Sequence, residues 1–551
     1  MSGVLGIGTS ALLAYQRALS VTGHNIANVG TEGYSRQRVD LAMRNPEFAG
    51  VGWIGQGVDI DGVNRITDQF VQRQLLDNTA GAGRQQVFHQ YAQRADNLLA
   101  DPEAGLAPVL QQFFAAVQDV ANDPTSTTAR QVLLSQGEAL ADRFAFVQRR
   151  MDEQRQLVEG QIGAAVTDIN GLAQGIAGLN QQIADALGSS NQPPNDLLDR
   201  REALLEQLAS KVSVQTLAQD DGTVNVLIGS GQSLVVGNQA TRLVAQPMGG
   251  DLERTEIAVV SPNSSIRVTG LLSGGELGAL LDVRREILDP AQNMLGRTAV
   301  GLALSFNELH QQGVDLDGHP GGEFFRLPQP EVLAARGTAA TTPPTVTYTD
   351  AGALTTSDYR LNFDGVEWQL TRSGSPVVLA AGAPDGVLTA DGLEIDLGSI
   401  TGAVAGDSFE LRPTRRAAAQ LGVAITDPRA FAAALPPDDP QTSVAGDNRN
   451  ALALAGLATD RVLANGTTSI AASYSELVAN VGVKTRQAQL SADAQGRMLD
   501  ASRAQRDSVS GVNLDEEAAN LLRYQQAYQA AAQVIAVAGT MFDTLLGAVR
   551  R

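Results

Sequence analysis

The 551-residue chain contains no cysteine, which excludes disulfide frameworks, thiolate nucleophiles and cysteine-ligated zinc. Aromatic residues make up only 4% of it. Its histidines are His24, His89, His310 and His319, with no HExxH spacing and no acidic partner at metal-ligand spacing, so neither catalysis nor metal binding has good raw material. No catalytic residue, metal or cofactor is therefore expected. Lysine is nearly absent: Lys211 and Lys484 stand among 40 basic residues, a bias toward arginine that carries no functional weight by itself. Positive charge is also outnumbered, and a formal charge of -20 opposes phosphate backbones and anionic lipid, so no nucleic-acid or membrane partner is expected. No apolar run approaches the roughly 18 to 20 residues of a bilayer crossing; the longest are Ala-rich pieces such as Ala451 to Ala458. The N-terminus lacks both a basic leader and an A-x-A cleavage site, so no cleaved signal peptide is expected.

Hydrophobic residues make up 43% of the chain, supplied largely by Ala, Leu and Val, a balance that favours packed helices over aromatic pockets. The length suggests roughly three or four domains. Leu5, Gly8, Leu12, Tyr15, Leu19, Thr22 and Ile26 follow alternating steps of three and four, and so do Leu514, Ala518, Leu521, Gln525, Tyr528, Ala532, Ile535, Gly539, Phe542, Leu546 and Val549. Both ends therefore carry the seam of a coiled coil. Only Arg17 is charged among the first 31 residues, unlike a solvated surface helix. Two such helices can pair, bringing the termini together.

Between the ends, the pattern predicts a stop near Asn28 and a short hairpin over Gly50 to Arg65 near Trp53 and Val58. Helices are predicted over Thr67 to Leu99, Leu106 to Val120, Thr125 to Leu187 and Asp196 to Lys211. A β unit follows over Val212 to Gly270, then helix over Gly275 to Gln311 with a break around Pro290. A separate all-β segment spans Thr345 to Pro413; prolines at Pro436, Pro437 and Pro440 mark a linker, and helix returns from Asn450 onward. The expected fold is mainly α with β insertions: an elongated multidomain hairpin with paired terminal helices, a long helical bundle, a small β unit and a distal all-β domain. The expected division is 1–35 with 508–551 as a terminal coiled-coil assembly domain, 36–212 with 272–314 and 446–507 as the bundle, 213–271 as the β unit, and 331–445 as the distal domain.

Ser10 to Leu19, Gly23-His24-Asn25-Ile26-Ala27-Asn28 and Thr31-Glu32-Gly33-Tyr34-Ser35-Arg36-Gln37, together with Ser510 to Glu517, Leu521 to Ala530 and Met541 to Leu546 at the other end, resemble the signatures of the flagellar rod, hook and hook-associated family. Asn25, Asn28, Gly33 and Tyr34 carry the N-terminal motif. Gly33 to Gln37 and Asn195 to Arg201 resemble its hook-associated branch. The sequence departs from the family pattern at His24, at Glu32 and over Ile535 to Thr540. The resemblance implies a non-enzymatic structural subunit of the extracellular flagellum that connects hook to filament. It implies self-assembly in a ring or helical layer through the seams Leu5, Leu12, Tyr15, Leu19 and Ile26, and Leu514, Leu521, Tyr528, Ile535, Phe542 and Leu546. Implied partners are hook protein, hook-associated protein 3 on the filament side and a flagellar export chaperone. The alternatives are the hook subunit itself, or an axial protein whose outer domain cleaves peptidoglycan or protein. Enzymatic readings are poorly supplied. Asp315-Leu316-Asp317-Gly318-His319 begins like a calcium loop, but Pro320 and Arg326 stand where glycine and the closing Glu belong. Asp515, Glu516 and Glu517 sit where a helix N-terminus favours acids, and Gly229-Ser230-Gly231 reads as a β turn.

Overall fold

A computed structural model describes residues 2–48, 50, 52–101, 105–190, 192–247, 249–261, 264–437 and 445–549. Asn191 and Pro440, expected in loops, lie outside these residues. The chain is mainly α with β insertions, built as an elongated out-and-back hairpin. Its helices are α1 (Ser2–Ala27), α2 (Gln69–Leu99), α3 (Ala107–Asn122), α4 (Thr127–Ser190), α5 (Asn195–Lys211), α6 (Gly275–Val283), α7 (Asp289–Gln312), α8 (Ala417–Gln420), α9 (Arg449–Gly456), α10 (Ile470–Ser510) and α11 (Leu514–Val549).

α4, at about 1.5 Å per residue, is the longest strut of the body. Leu133, Leu140, Phe144, Val147, Met151, Val158, Ile162, Ile169, Ile176 and Ile183 form one buried stripe along it, so each half faces a different core. The N-terminal half joins a phenylalanine-rich core containing Phe113, Phe306, Phe324, Phe325 and Phe431. The C-terminal half packs with α5, α6 and two small sheets formed within 214–267. The distal β unit has a five-stranded antiparallel sheet in the order Glu331–Ala334, Ser408–Arg412, Tyr359–Phe363, Trp368–Arg372, Val378–Gly382. A three-stranded sheet closes it over Trp368, Phe409 and Leu411.

Four local readings differ from expectation. Pro290 does not break its helix: α6 runs through a π turn, Arg284–Leu288, directly into α7. Proline lacks the N–H that would bond the Glu286 carbonyl, and Lys484 Nζ donates to that oxygen at 2.5 Å. One of the two lysines thus repairs the ladder. The second, Lys211, joins Glu276 at 2.7 Å and Asp168 at 3.0 Å. The hairpin begins earlier than the expected Gly50, pairing Gln37–Met43 with Val58–Arg65, because the segment after the α1 loop turns Gln37 and Val39 inward with Arg38 outward between them. It packs along α1 rather than in the bundle. The return segment after Pro413 leaves the distal sheets, since Ala418, Leu421 and Phe431 are buried in the phenylalanine-rich core.

His310 lies in that core. The Ala432 N–H donates to its Nε2 at 2.9 Å, so Nδ1 carries the hydrogen and donates to the Gly322 carbonyl at 2.8 Å. Burial pushes its pKa down from 6.5 to about 4. The unfolded chain binds this proton first, so stability is full above about pH 6.5 and falls as pH drops toward 4. Between pH 6.5 and 5, above the ordinary carboxylate range, a loss of about 2 kcal/mol is expected. Urea unfolding across that window measures it, and His310→Asn should flatten the slope.

The distal β unit is anchored on α7 by a close approach and a buried ion network. A Cβ at Gly296 would sit 1.6 Å from the Thr414 carbonyl oxygen, so only glycine fits there. Beside it, Asp289 receives Arg415 at 2.6 Å, Arg254 at 2.9 Å and Arg155 at 3.4 Å. Arg415 also pairs with Asp358 of the distal unit, and Arg412 with Asp251 at 2.8 Å.

Candidate functional site

α1 and α11 lie antiparallel: Gly8 meets Ile535, Tyr15 lies 6.4 Å from Tyr524 between ring centroids, and Asn25 meets Glu517. The most shielded residues are small, namely Gly8, Ala14, Ala18 and Thr22 against Ala531 and Ala538. A Cβ on Gly8 would stand 2.7 Å from Ile535 Cγ1, so the two backbones approach closely at this level.

Each residue of the expected seams has a definite place. Leu12, Tyr15, Leu19 and Ile26 on α1 and Leu521, Tyr528 and Ile535 on α11 are half-buried, flanking the small residues. Leu5, Leu514, Phe542 and Leu546 are exposed. The register within one chain is therefore shifted by one residue at alternate positions, with Glu517, Tyr524, Ala531 and Ala538 turned inward where Ala518, Gln525, Ala532 and Gly539 were expected. Close helix approach selects small side chains and pushes large ones to the flanks, leaving a second apolar face outside. The helical run Ile470–Val549 contains an 18-residue stretch apolar enough to cross a membrane by composition, and little of it is buried in the chain. This corrects the expectation that no such run exists: between Tyr524 and Val549 only Asp543 is charged, and alanine, glycine and threonine fill the gaps between large residues.

The termini join the body through a polar knot centred on Asn25, which is 1% exposed. Its Oδ1 accepts from Tyr34 OH at 2.7 Å and the Gln37 N–H at 3.0 Å, while Nδ2 donates to the Gln37 carbonyl at 2.9 Å and to Glu517 at 3.2 Å. Every donor and both acceptor lone pairs of the amide are used, which no other side chain of this size offers. Glu517, 2% exposed, takes Arg36 Nε at 2.9 Å, and Glu516 takes Arg36 Nη1 at 2.6 Å. The Arg36 N–H donates to the Ser510 carbonyl at 2.8 Å, stitching the N-terminal loop to the end of α10.

Asn28 closes α1, donating to the His24 carbonyl at 2.9 Å and accepting from Thr31 at 3.1 Å. Gly33 holds φ of 79°, left-handed backbone that a glycine adopts without strain. Tyr34 is pushed above its ordinary range by burial, then by the carboxylates of Asp199, Asp196 and Glu517, so it remains a hydrogen-bond donor.

The residues Asn195 to Arg201 reach the same knot. Asp199 receives the Ser35 N–H at 3.2 Å and Arg65 at 2.7 Å; Arg65 also grips Glu202 at 2.7 Å, and Asn195 donates to the Val63 carbonyl at 2.7 Å. Glu516 and Glu517 were expected only as helix-end acids. They do stand in the first turn of α11, where Asn513 Oδ1 accepts from the Asp515 and Glu516 N–H groups, and both carboxylates also clamp Arg36. Within Asp315 to His319, Asp315 Oδ1 accepts from the Asp317 and His319 N–H groups, a closed turn.

Four family models match the chain: the helical domain of flagellar hook-associated protein FlgK over residues 92–325, the D2-like domain of flagellar hook-associated protein 1 over 333–413, the flagella basal body rod protein over 5–34, and the C-terminal region of flagellar basal body rod FlgEFG protein over 503–548. Flagellar hook-associated protein 1 of Salmonella typhimurium is 37% identical across 99% of this chain and 100% of its own length. The Bacillus subtilis protein of that name is 25% identical across 98% and 97%. Among solved structures, the flagellar hook junction protein FlgK from Burkholderia pseudomallei superposes with a TM-score of 0.72 at 25% identity, covering 80% of this chain and 100% of that one.

Proposed function

This chain belongs to the flagellar hook-associated protein 1 family, the structural proteins of the hook–filament junction, and from that premise we propose that the α1–α11 pair, locked to the body through Asn25 and Glu517, is its assembly device. The chain is an axial component of the flagellum and connects hook to filament; the comparisons lend nothing to the hook-subunit or enzymatic alternatives. The observation that carries the assembly reading is the outward apolar face left on both terminal helices after they pair. Large residues such as Leu5, Leu13, Leu514, Leu522 and Phe542 stay exposed in one chain, and neighbouring subunits in a ring or helical layer would bury them.

In this reading 1–35 with 508–551 forms the assembly domain with the 37–65 hairpin packed beside it, and the helical body (66–212, 272–314, 446–507, joined by the return segment after Pro413), the β unit (213–271) and the distal β unit (331–413) stand outside it. The seams on Leu12, Tyr15, Leu19, Ile26, Leu521, Tyr528 and Ile535 then meet partner helices on their half-exposed flanks. Hook protein lies on one side and hook-associated protein 3 on the other; export proceeds without a cleaved signal, with a chaperone holding the apolar C-terminal helix. The role is structural and not enzymatic.

Leu521→Asp and Leu12→Asp, each placing a carboxylate in the packed flank, are expected to abolish incorporation while the body stays folded. Electron microscopy of flagella from a deletion strain complemented with each variant checks this. Hooks without filaments, with filament protein shed to the medium, is the expected result, and filaments of normal length in either strain would sink the seam assignment.

A further inference from the structure

The hairpin formed by Gln37–Met43 and Val58–Arg65 runs beside α1 and carries at its outer end a second short pairing, Glu47–Phe48 with Trp53–Ile54. That end is apolar and bare: Met43 is 92% exposed, Trp53 73% and Phe48 59%, and the Phe48 and Trp53 rings meet edge to face at 5.7 Å. The other tryptophan of the chain, Trp368, is wholly buried. An exposed aromatic pair at the end of a paired ribbon is the material of an interface anchor.

Close approaches fix the level at which this end stands. A Cβ on Gly57 would collide with Ser10 Oγ and Ile7 Cα, so the hairpin crosses α1 there. One residue along α1, Gly8 is pressed against Ile535 of α11. Hairpin residue 57, α1 residues 7 to 10 and α11 residue 535 therefore share one level. Past it, α1 has only Ser2 to Gly6 left, whereas α11 continues to Val549 and outlasts α1 by roughly 10 Å at 1.5 Å per residue. Phe542, Leu545 and Leu546 on that overhang are all exposed, as are Val537 and Met541 leading into it.

Resting on the assembly reading above, we propose that the Phe48–Trp53 hairpin end of one copy docks on the overhanging last turns of α11 of the adjacent copy. Every copy carries both halves at one end of the same helix pair, so side-by-side copies present tip to tail at matching height. Because the two halves are different elements, the contact is head-to-tail and propagates from copy to copy around a ring or along a helical layer. Between Tyr524 and Val549 only Asp543 is charged, so the α11 half of the contact is mostly apolar.

Absence of cysteine makes the test clean. Gly55→Cys, where an added side chain meets open space, and Thr540→Cys, beside Met541, are combined in the full chain and expressed in a strain lacking its own copy. Flagella are purified, oxidised and run without reductant. The expected result is a ladder of dimers and larger species in the double variant, no bands above monomer in either single variant, and loss of the ladder when Phe48→Ser and Trp53→Ser are added. A fast-migrating monomer with an internal disulfide, a dimer from a single variant, bands to a different protein, or monomer alone in flagella that carry the chain would each overturn the docking. Flagella that lack the chain altogether would overturn the assembly reading, and the docking with it.

Discussion

Asp289→Asn is expected to lower the unfolding free energy of the full-length chain by about 3–5 kcal/mol, the range for removing one partner of a buried ion pair. Burial alone would raise the Asp289 carboxyl, yet Arg415, Arg254 and Arg155 together hold it well below the usual carboxylate range. The amide keeps the shape and one acceptor but supplies no charge, so three guanidinium groups lose their common counter-ion where water cannot replace it. Arg415 then leans on Asp358 alone, and the tie between α7 and the distal β unit weakens. Urea unfolding followed by the fluorescence of Trp368 reports the event, since Trp53 is already exposed and adds a constant background. The pH dependence carries a sign. A carboxyl depressed by folding stabilises above its unfolded pKa of about 3.9 and loses that contribution as pH falls. The gap between wild type and variant should stay constant from pH 8 down to about 4 and narrow below it. A gap of under 1 kcal/mol at pH 7 would show that the network offsets no more than its own desolvation.

The heptads of both ends were legible because spacing alone reveals an amphipathic helix, and the motif around Asn25, Gly33 and Tyr34 was legible by resemblance. The register was not. The expected seam included Gly8 but otherwise leaned on Leu12, Leu19 and Leu521, whereas close backbone approach also places Ala14, Ala18, Ala531 and Ala538 inside, a preference that shows only once two helices are paired. Glu517 escaped because its partners Asn25 and Arg36 lie at the opposite end of the chain, beyond any local pattern. Asp199 and Glu202 fell within or beside a recognised motif, yet their attachment to Arg65 is a tertiary fact. The Asp289 network has no sequence signature at all, being assembled from α4, the β unit, α7 and the loop after the distal sheet.

The same knot sets up the sharpest test of how the ends are held. Asn25→Asp changes one NH₂ to an oxygen, and that oxygen would face Glu517 at the 3.2 Å now spanned by a hydrogen bond, and also the Gln37 carbonyl. Two donors become acceptors, so attraction turns into like-charge repulsion in a buried site. One of the two carboxyls must take a proton, and the expected cost is about 3 kcal/mol. The body does not depend on this contact, so Trp368 fluorescence and the urea midpoint should hold while the terminal helices detach and protease trims them. Cells should then carry hooks that shed their filaments. Two rescues separate charge from shape. Lowering the pH toward 5 protonates the pair and should recover part of the protease resistance. Glu517→Gln added to Asn25→Asp restores one donor facing one acceptor and should recover more, although Arg36 loses half of its clamp. If Asn25→Asp resists proteolysis as well as wild type does, Arg36 with Glu516 and the Ser510 carbonyl suffices to hold the ends, and Asn25 serves only to shape the loop that leads from α1 to the hairpin.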